Sequence, residues 1–190
     1  MYKHLPNNTL VQQRDCCGIV YSTSKNEKEK GSLNLEGYCD SDWGNDPDTR
    51  KSITGYVVKS GFMGISTTDI VAQSTAEAEF VAACEACMEG QSLRNIVTEV
   101  FPELQVNFTL EIDNQAAFMM TTNPTYSRRT RHIELRWHYV RDQVTKKTVY
   151  LWKVSPDDNP SDIFTKPLAG ARYEKLCALL GQTKEPLPKN

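Results

Sequence analysis

Apolar positions along this chain recur first at intervals of two and then, from about Ser74, at intervals of three and four. Residues 1–32 are polar apart from "GIVYS" and run into the charged "KNEKEKG", a pattern that predicts a loose N-terminal strand followed by a solvated turn. In "LNLEGYCDSDW", Leu33, Leu35, Gly37 and Cys39 alternate with Asn34, Glu36, Tyr38 and Asp40, the period of a strand. "GNDPDTRKS" reads as a turn-rich loop, "ITGYVVKSG" as a second, β-branched strand and "FMGIS" as a third short one, so a meander is expected.

The second half of the pattern is helical with strands interposed. Alanine and other strong helix formers carry one long helix from Ser74 to about Val100, where "FPE" ends it. "VNFTLEID" predicts a strand and "NQAAFMMTT" a short helix stopped by "NPTYS". "TRHIELRWHYVRDQVTKK" predicts a second long helix, amphipathic through Ile133, Trp137, Val140 and Val144. "TVYLWKV" is a last strand, "SPDDNPSDIFTKPL" a loop entering a short helix, and "YEKLCALLG" a terminal helix.

Composition adds few constraints. With 190 residues, 39% hydrophobic and 24% charged, the chain has the makings of a single globular domain, and a net charge of −2 announces no nucleic-acid partner. No window approaches the roughly 18 apolar residues of a membrane span, and the polar start lacks the apolar stretch of a secretion signal. An intracellular, cytoplasmic protein without a membrane partner is expected. The six cysteines have neither the density nor the context of a disulfide scaffold, which predicts reduced thiols. Cys84 and Cys87 form a CxxC, but with no second pair to complete a zinc site they read as small core residues of the long helix.

Candidate chemistry begins at "STAEAEF". Two residues apart on a helix is about 200° of rotation, so Glu77 and Glu79 face nearly opposite ways. Glu77 shares its stripe with Glu85 and Glu89, which predicts a solvated face; Glu79 shares its own with Ala76, Ala82, Ala83 and Ala86. An alanine face lets a helix lie close to a sheet, and a carboxylate held there needs pairing, protonation or a cation. Asp40 and Asp113 sit at predicted strand ends, where sites of mixed α/β sheets collect, and Asp162 opens a late helix in "NPSDIF". Four clustered acids suit divalent metal ions and suggest a two-metal phosphodiester hydrolase. Each acid has a rival role or neighbour. Asp42 shares the face of Asp40, Asp113 would also serve as a helix N-cap, and Asp157 and Asp158 lie beside Asp162.

Between Arg128 and Lys153 the chain is locally basic: Arg128, Arg129, Arg131, Arg136, Arg141, Lys146, Lys147 and Lys153 stand against only Glu134 and Asp142. Such asymmetry is the footprint of a surface that tracks phosphates, the plain alternative being a solvated amphipathic helix. Within it, Trp137 lies at core spacing. His132 reads as structural or phosphate-contacting rather than as a proton shuttle.

The strings "GYCDSDWGNDPDTRKSITGYV", "STAEAEFVAACEA", "DNQAA", "SRRTRHIELRWHYVRDQV" and "DNPSDIFTKPL", taken in this order, resemble the ribonuclease H domain of copia-type LTR retrotransposon polyproteins, over roughly Gly18 to Gly181. The resemblance implies an α/β ribonuclease H-like fold, a five-stranded mixed sheet with helices on both faces, and cleavage of the RNA strand of RNA–DNA hybrids. It matches Asp40, Glu79, Asp113 and Asp162 to the catalytic acids, with two Mg²⁺ ions, or Mn²⁺ in their place, held by the first three and steadied by Asp162. Nucleic-acid contacts would come from Arg128, Arg129, Arg131, His132, Arg136 and Lys146, and the partners would be the hybrid and a reverse transcriptase polymerase domain. On this reading residues 1–32 are an N-terminal extension left from a connection region, 33–168 the ribonuclease H-like domain, and 169–190 a C-terminal helix and tail, the whole standing as a fragment. Relative to the family pattern, "GFMGISTTDIVAQST" lacks a few residues, which predicts a short or poorly paired third strand, and no "YVDD" polymerase signature occurs. Two functions follow: a metal-dependent ribonuclease H, or a catalytically silent remnant that still binds nucleic acid. An integrase-like nuclease on the same fold fits the spacing around Glu79 and "DNQ" less well.

Overall fold

A computed structural model describes residues 18–19, 31–59, 62–67, 71–122 and 134–183. In chain order the elements are β1 (Gly18–Ile19), β2 (Ser32–Asp42), β3 (Ile53–Lys59), β4 (Phe62–Thr67), α1 (Thr75–Val100), β5 (Gln105–Ile112), α2 (Gln115–Thr122), α3 (Glu134–Thr145), β6 (Tyr150–Lys153), a 3₁₀ turn at Pro156–Asp158, α4 (Asp162–Thr165), α5 (Gly170–Leu179) and β7 (Gln182–Thr183). The main sheet has the order β4-β3-β2-β5-β6, and β1 pairs with β7 in a separate ribbon.

The expected meander forms β2, β3 and β4, all antiparallel, while β5 and β6 run parallel to β2. The strand expected to be short or poorly paired is β4, and it pairs with β3 from Ile53↔Thr67 to Val58↔Phe62. The segment missing relative to the family pattern therefore does not cost the sheet its edge strand.

Period-two patterning decides which side of the sheet is packed. On β5, Val106, Phe108, Leu110 and Ile112 are buried and the residues between them are only partly so. They lie in register with Leu33, Leu35, Gly37 and Cys39 of β2 and face α1, whose Ala82, Ala83, Cys84, Ala86 and Cys87 are fully buried. Burying a side chain such as Phe108 contributes about 2–3 kcal/mol. The small α1 face permits the close approach that the alanine stripe predicts. Its tightest point is Gly90, where an added Cβ would lie 2.0 Å from the Phe108 ring. Cys84 and Cys87 are buried thiols outside any disulfide, as their spacing predicts, and burial pushes the Cys87 thiol up to about 12. From α3, Val140 enters the same core and Val144 packs on it; the side chain of Trp137 lies outside the described residues.

α1 starts at its N-cap Ser74 and ends as Phe101, held out of helical geometry by Pro102, caps it. The other sheet face receives α4. Gly55, the cross-strand partner of Asp40, has no side chain there, and a Cβ would lie 2.8 Å from Thr165 Cγ2 and 2.9 Å from Phe164 Cβ. With helices on both faces of a mixed sheet, the chain has the ribonuclease H-like fold.

Candidate metal centre

α1 runs antiparallel to β2 and β5, with Arg94 near its far end donating to the carbonyl of Val106 at 3.1 Å, so its first turns lie over the carboxyl ends of those strands. The loop after β2 is fastened to this end of α1 by Trp43, whose indole N–H donates to the Ala72 carbonyl at 2.8 Å. Asp40, Glu79 and Asp113 meet here, each offering a carboxylate oxygen, and these oxygens all lie within 4.8 Å of one another.

The acids that compete on sequence lie in different places. Asp42 accepts from Asn45 of the following loop and is not among the three converging acids. Asn114, not Asp113, caps α2, its Oδ1 accepting from Ala117 N at 3.0 Å, and Asp113 is thereby left to the cluster. Asp157 and Asp158 are exposed on the 3₁₀ turn, and Asp158 pairs with Lys175 at 2.7 Å. Asp162 is buried.

One expectation fails. Glu77 is buried rather than solvated. Its backbone N–H donates to Ser74 Oγ at 3.3 Å and its carboxylate accepts from Gln73 N at 2.8 Å. The first turn of a helix carries unpaired N–H groups that draw an acid inward, and this overrides the stripe that Glu77 shares with Glu85 and Glu89. The two glutamates of "STAEAEF" therefore divide the work, Glu77 starting the helix and Glu79 entering the cluster.

Glu79 is 8% exposed, and its Oε2 is buried without a hydrogen-bond partner among the described residues. Burial, then the charges of Asp40 and Asp113, push its carboxyl up to about 9. Asp40 is fully buried, and desolvation raises it to about 6 although Lys166 and Thr165 both donate to it. An orphaned carboxylate oxygen inside an all-oxygen cluster fits a hard divalent cation such as Mg²⁺ or Mn²⁺.

Asp162 approaches from α4 and is not one of the three converging acids. It is held by cations of the protein instead: Lys166 Nζ lies 2.8 Å from Asp162 Oδ1 and 2.8 Å from Asp40 Oδ1, and Arg172 of α5 binds Asp162 Oδ2. Thr165 donates to Asp40 Oδ2. Burial works against the Lys166 ammonium, but its hydrogen bonds to Asp162 and Asp40 outweigh that and hold its pKa above the ordinary lysine value.

The approach of α4 is pinned by Asn159, fully buried, whose Nδ2 donates to the Cys39 carbonyl at 2.9 Å while its Oδ1 accepts from Ser161. Asn159, Thr165, Lys166 and Arg172 were not singled out in the sequence. The i,i+4 spacing of Asp162 and Lys166 was the readable signal for one of them. Of the expected nucleic-acid contacts, Lys146 is exposed and paired with Asp142 at 2.6 Å. Arg128, Arg129, Arg131 and His132, and the side chain of Arg136, lie outside the described residues. No helix among the described residues is long and apolar enough to cross a membrane.

No family model matches the chain. It is 34% identical over 151 residues to the retrovirus-related Pol polyprotein from transposon TNT 1-94 of Nicotiana tabacum, an alignment that covers 77% of this chain and 11% of the polyprotein. It is 30% identical over 163 residues to that from transposon RE1 of Arabidopsis thaliana, covering 84% and 11%. The chain thus spans about a tenth of the length of these curated relatives. Among solved structures it is similar to the N-terminal ribonuclease H domain of a Mycobacterium tuberculosis protein, at a TM-score of 0.49 and 10% identity, over 77% of this chain and 98% of that one. LC11-RNase H1 in complex with an RNA/DNA hybrid gives a TM-score of 0.45 and 10% identity, over 68% and 92%.

Proposed function

Since the chain belongs with the retrovirus-related Pol polyproteins of transposons, as a ribonuclease H-like segment of them, we propose that it is a divalent-metal-dependent endonuclease of the copia type that hydrolyses the RNA strand of RNA–DNA hybrids. The observation that carries the reading is the convergence of Asp40, Glu79 and Asp113 around a buried, unpartnered Glu79 oxygen.

Asp40, Glu79 and Asp113 would hold the ion. A divalent metal bound there supplies a Lewis acid that acidifies water and neutralises charge gathering on a phosphate. The protein supplies the geometry. Thr165 and Lys166 fix the plane of the Asp40 carboxylate, leaving a lone pair on each oxygen. Asn114 takes over the capping of α2, and the Ala82–Ala86 face sets Glu79 against the strand ends. No side chain of the cluster has to form a covalent bond to substrate. Recognition of the hybrid over other duplexes would rest on its shape and its 2′-hydroxyls, with the basic segment from Arg128 onward tracking phosphates.

The test is cleavage of an end-labelled RNA–DNA hybrid in Mg²⁺ and in Mn²⁺ by the chain and by Asp113→Asn and Glu79→Gln. The expected result is RNA cutting that falls in both variants by at least the 10–100-fold typical of losing a metal site's outer partners. Hybrid binding by the folded chain with no cutting in either metal would establish the alternative, a binding module without catalysis.

A further inference from the structure

Lys166 spans two acids that the chain separates widely. It is four residues from Asp162 and 126 from Asp40, and its single ammonium meets one oxygen of each at 2.8 Å. The other oxygen of each acid is already held, Asp40 Oδ2 by Thr165 and Asp162 Oδ2 by Arg172, so a divalent ion placed between Asp40 and Asp162 would take the position of the ammonium, at roughly 2.1 Å from the oxygens for Mg²⁺. Ammonium and ion cannot occupy that place together. The oxygens of Asp40, Glu79 and Asp113, by contrast, converge without Asp162, so an ion among those three makes no demand on the Asp162 oxygen that holds Lys166.

Resting on the metal-dependent reading above, we propose that Lys166 is a displaceable counter-cation: the resting site takes one divalent ion on Asp40, Glu79 and Asp113, and a second enters between Asp40 and Asp162 only by expelling the Lys166 ammonium. Three features make the exchange workable. The Lys166 side chain is 38% exposed while those of its two partners are almost wholly buried, so the ammonium has a path to water that the carboxylates lack. Its stem is flexible and its charge is a compact point rather than a planar fork, which makes it easier to release than an arginine. Arg172 stays on the other oxygen of Asp162, so that carboxylate keeps its place when the lysine leaves.

The experiment is calorimetric titration of the full chain with Mn²⁺, metal-free at the start, for the unaltered protein, Lys166→Gln and Asp113→Asn. The unaltered chain should bind one ion well and a second weakly. Lys166→Gln should tighten the second ion roughly 10- to 100-fold, the competition expected from two charge-assisted hydrogen bonds, and Asp113→Asn should lose the first. A second ion whose Kd in Lys166→Gln stays within about twofold of the unaltered chain overturns the proposal, even with the first ion abolished by Asp113→Asn and the metal reading intact. Failure of every form to bind Mn²⁺ overturns the metal reading and the proposal with it.

Should Lys166→Gln not fold, the unaltered chain supplies its own test. Acetylation of Lys166, followed by mass spectrometry, should accelerate severalfold in saturating Mg²⁺ relative to the exposed Lys153. An unchanged ratio while Mg²⁺ binds overturns the displacement.

Discussion

Glu79→Gln isolates the cost of burying an acid among acids. In the metal-free protein the Glu79 carboxyl is pushed from the ordinary 4.5 up to about 9 by burial first and by Asp40 and Asp113 next. Between those two values the folded chain holds a proton that the unfolded chain has released, so stability is highest below pH 4.5, as far as this group goes, and declines as the pH rises toward 9. Each pH unit in that window is worth about 1.4 kcal/mol, and at pH 7 the accumulated loss is about 3 kcal/mol. Glutamine keeps the shape and carries no proton to lose, so the variant should lack this slope and be the more stable form at neutral pH without metal. Urea denaturation in a chelator from pH 5 to 8.5, for the chain and Glu79→Gln side by side, measures the difference directly, because every other titrating group is common to both. Mg²⁺ should restore stability to the unaltered chain at pH 8 and do little for the variant. Parallel stability curves for the two proteins across this range would refute the placement of Glu79 in a buried acidic cluster.

Two further substitutions probe the frame around the site. Gly90→Ala would put a Cβ 2.0 Å from the Phe108 ring and should destabilise the fold by about 1–3 kcal/mol or more, seen as a lowered urea midpoint with an unchanged slope. Asn114→Ala removes the cap of α2 and should cost about 1 kcal/mol while hybrid cleavage persists, the reverse of Asp113→Asn, which should keep stability and lose cleavage; paired thermal melts and cleavage assays separate the two roles.

Much of this arrangement is legible in the sequence. The strand alternation of β2 and β5 and the alanine stripe of α1 both follow from apolar patterning, and the stripe alone directed Glu79 inward. Periodicity could not separate Asp40 from Asp42, which share a face, because the choice depends on where the strand ends relative to α1, a tertiary fact. Asp113 and Asn114 are both good caps, and only the geometry of the first turn of α2 shows which one caps. The solvated placement expected of Glu77 fails for a related reason: helical stripes govern interior turns, whereas the first turn answers to its unpaired N–H groups. The cations escaped notice because their meaning lies in long-range placement. Lys166 acquires a role only once Gly55 lets α4 settle on β3, and Arg172 belongs to a helix that the sequence assigned to a tail beyond the domain.

The reach of Lys166 and Thr165 back to Asp40, across 126 and 125 residues, also fixes the timing of assembly. On the ribosome, β2 and its acid emerge well before the groups that compensate Asp40. A nascent chain therefore carries Asp40, Glu79 and Asp113 without their internal cations until α4 has emerged, and the site acquires its resting charge balance only when α4 closes over the sheet. A truncation just before α4 would remove the cations while leaving the three converging acids in the sequence.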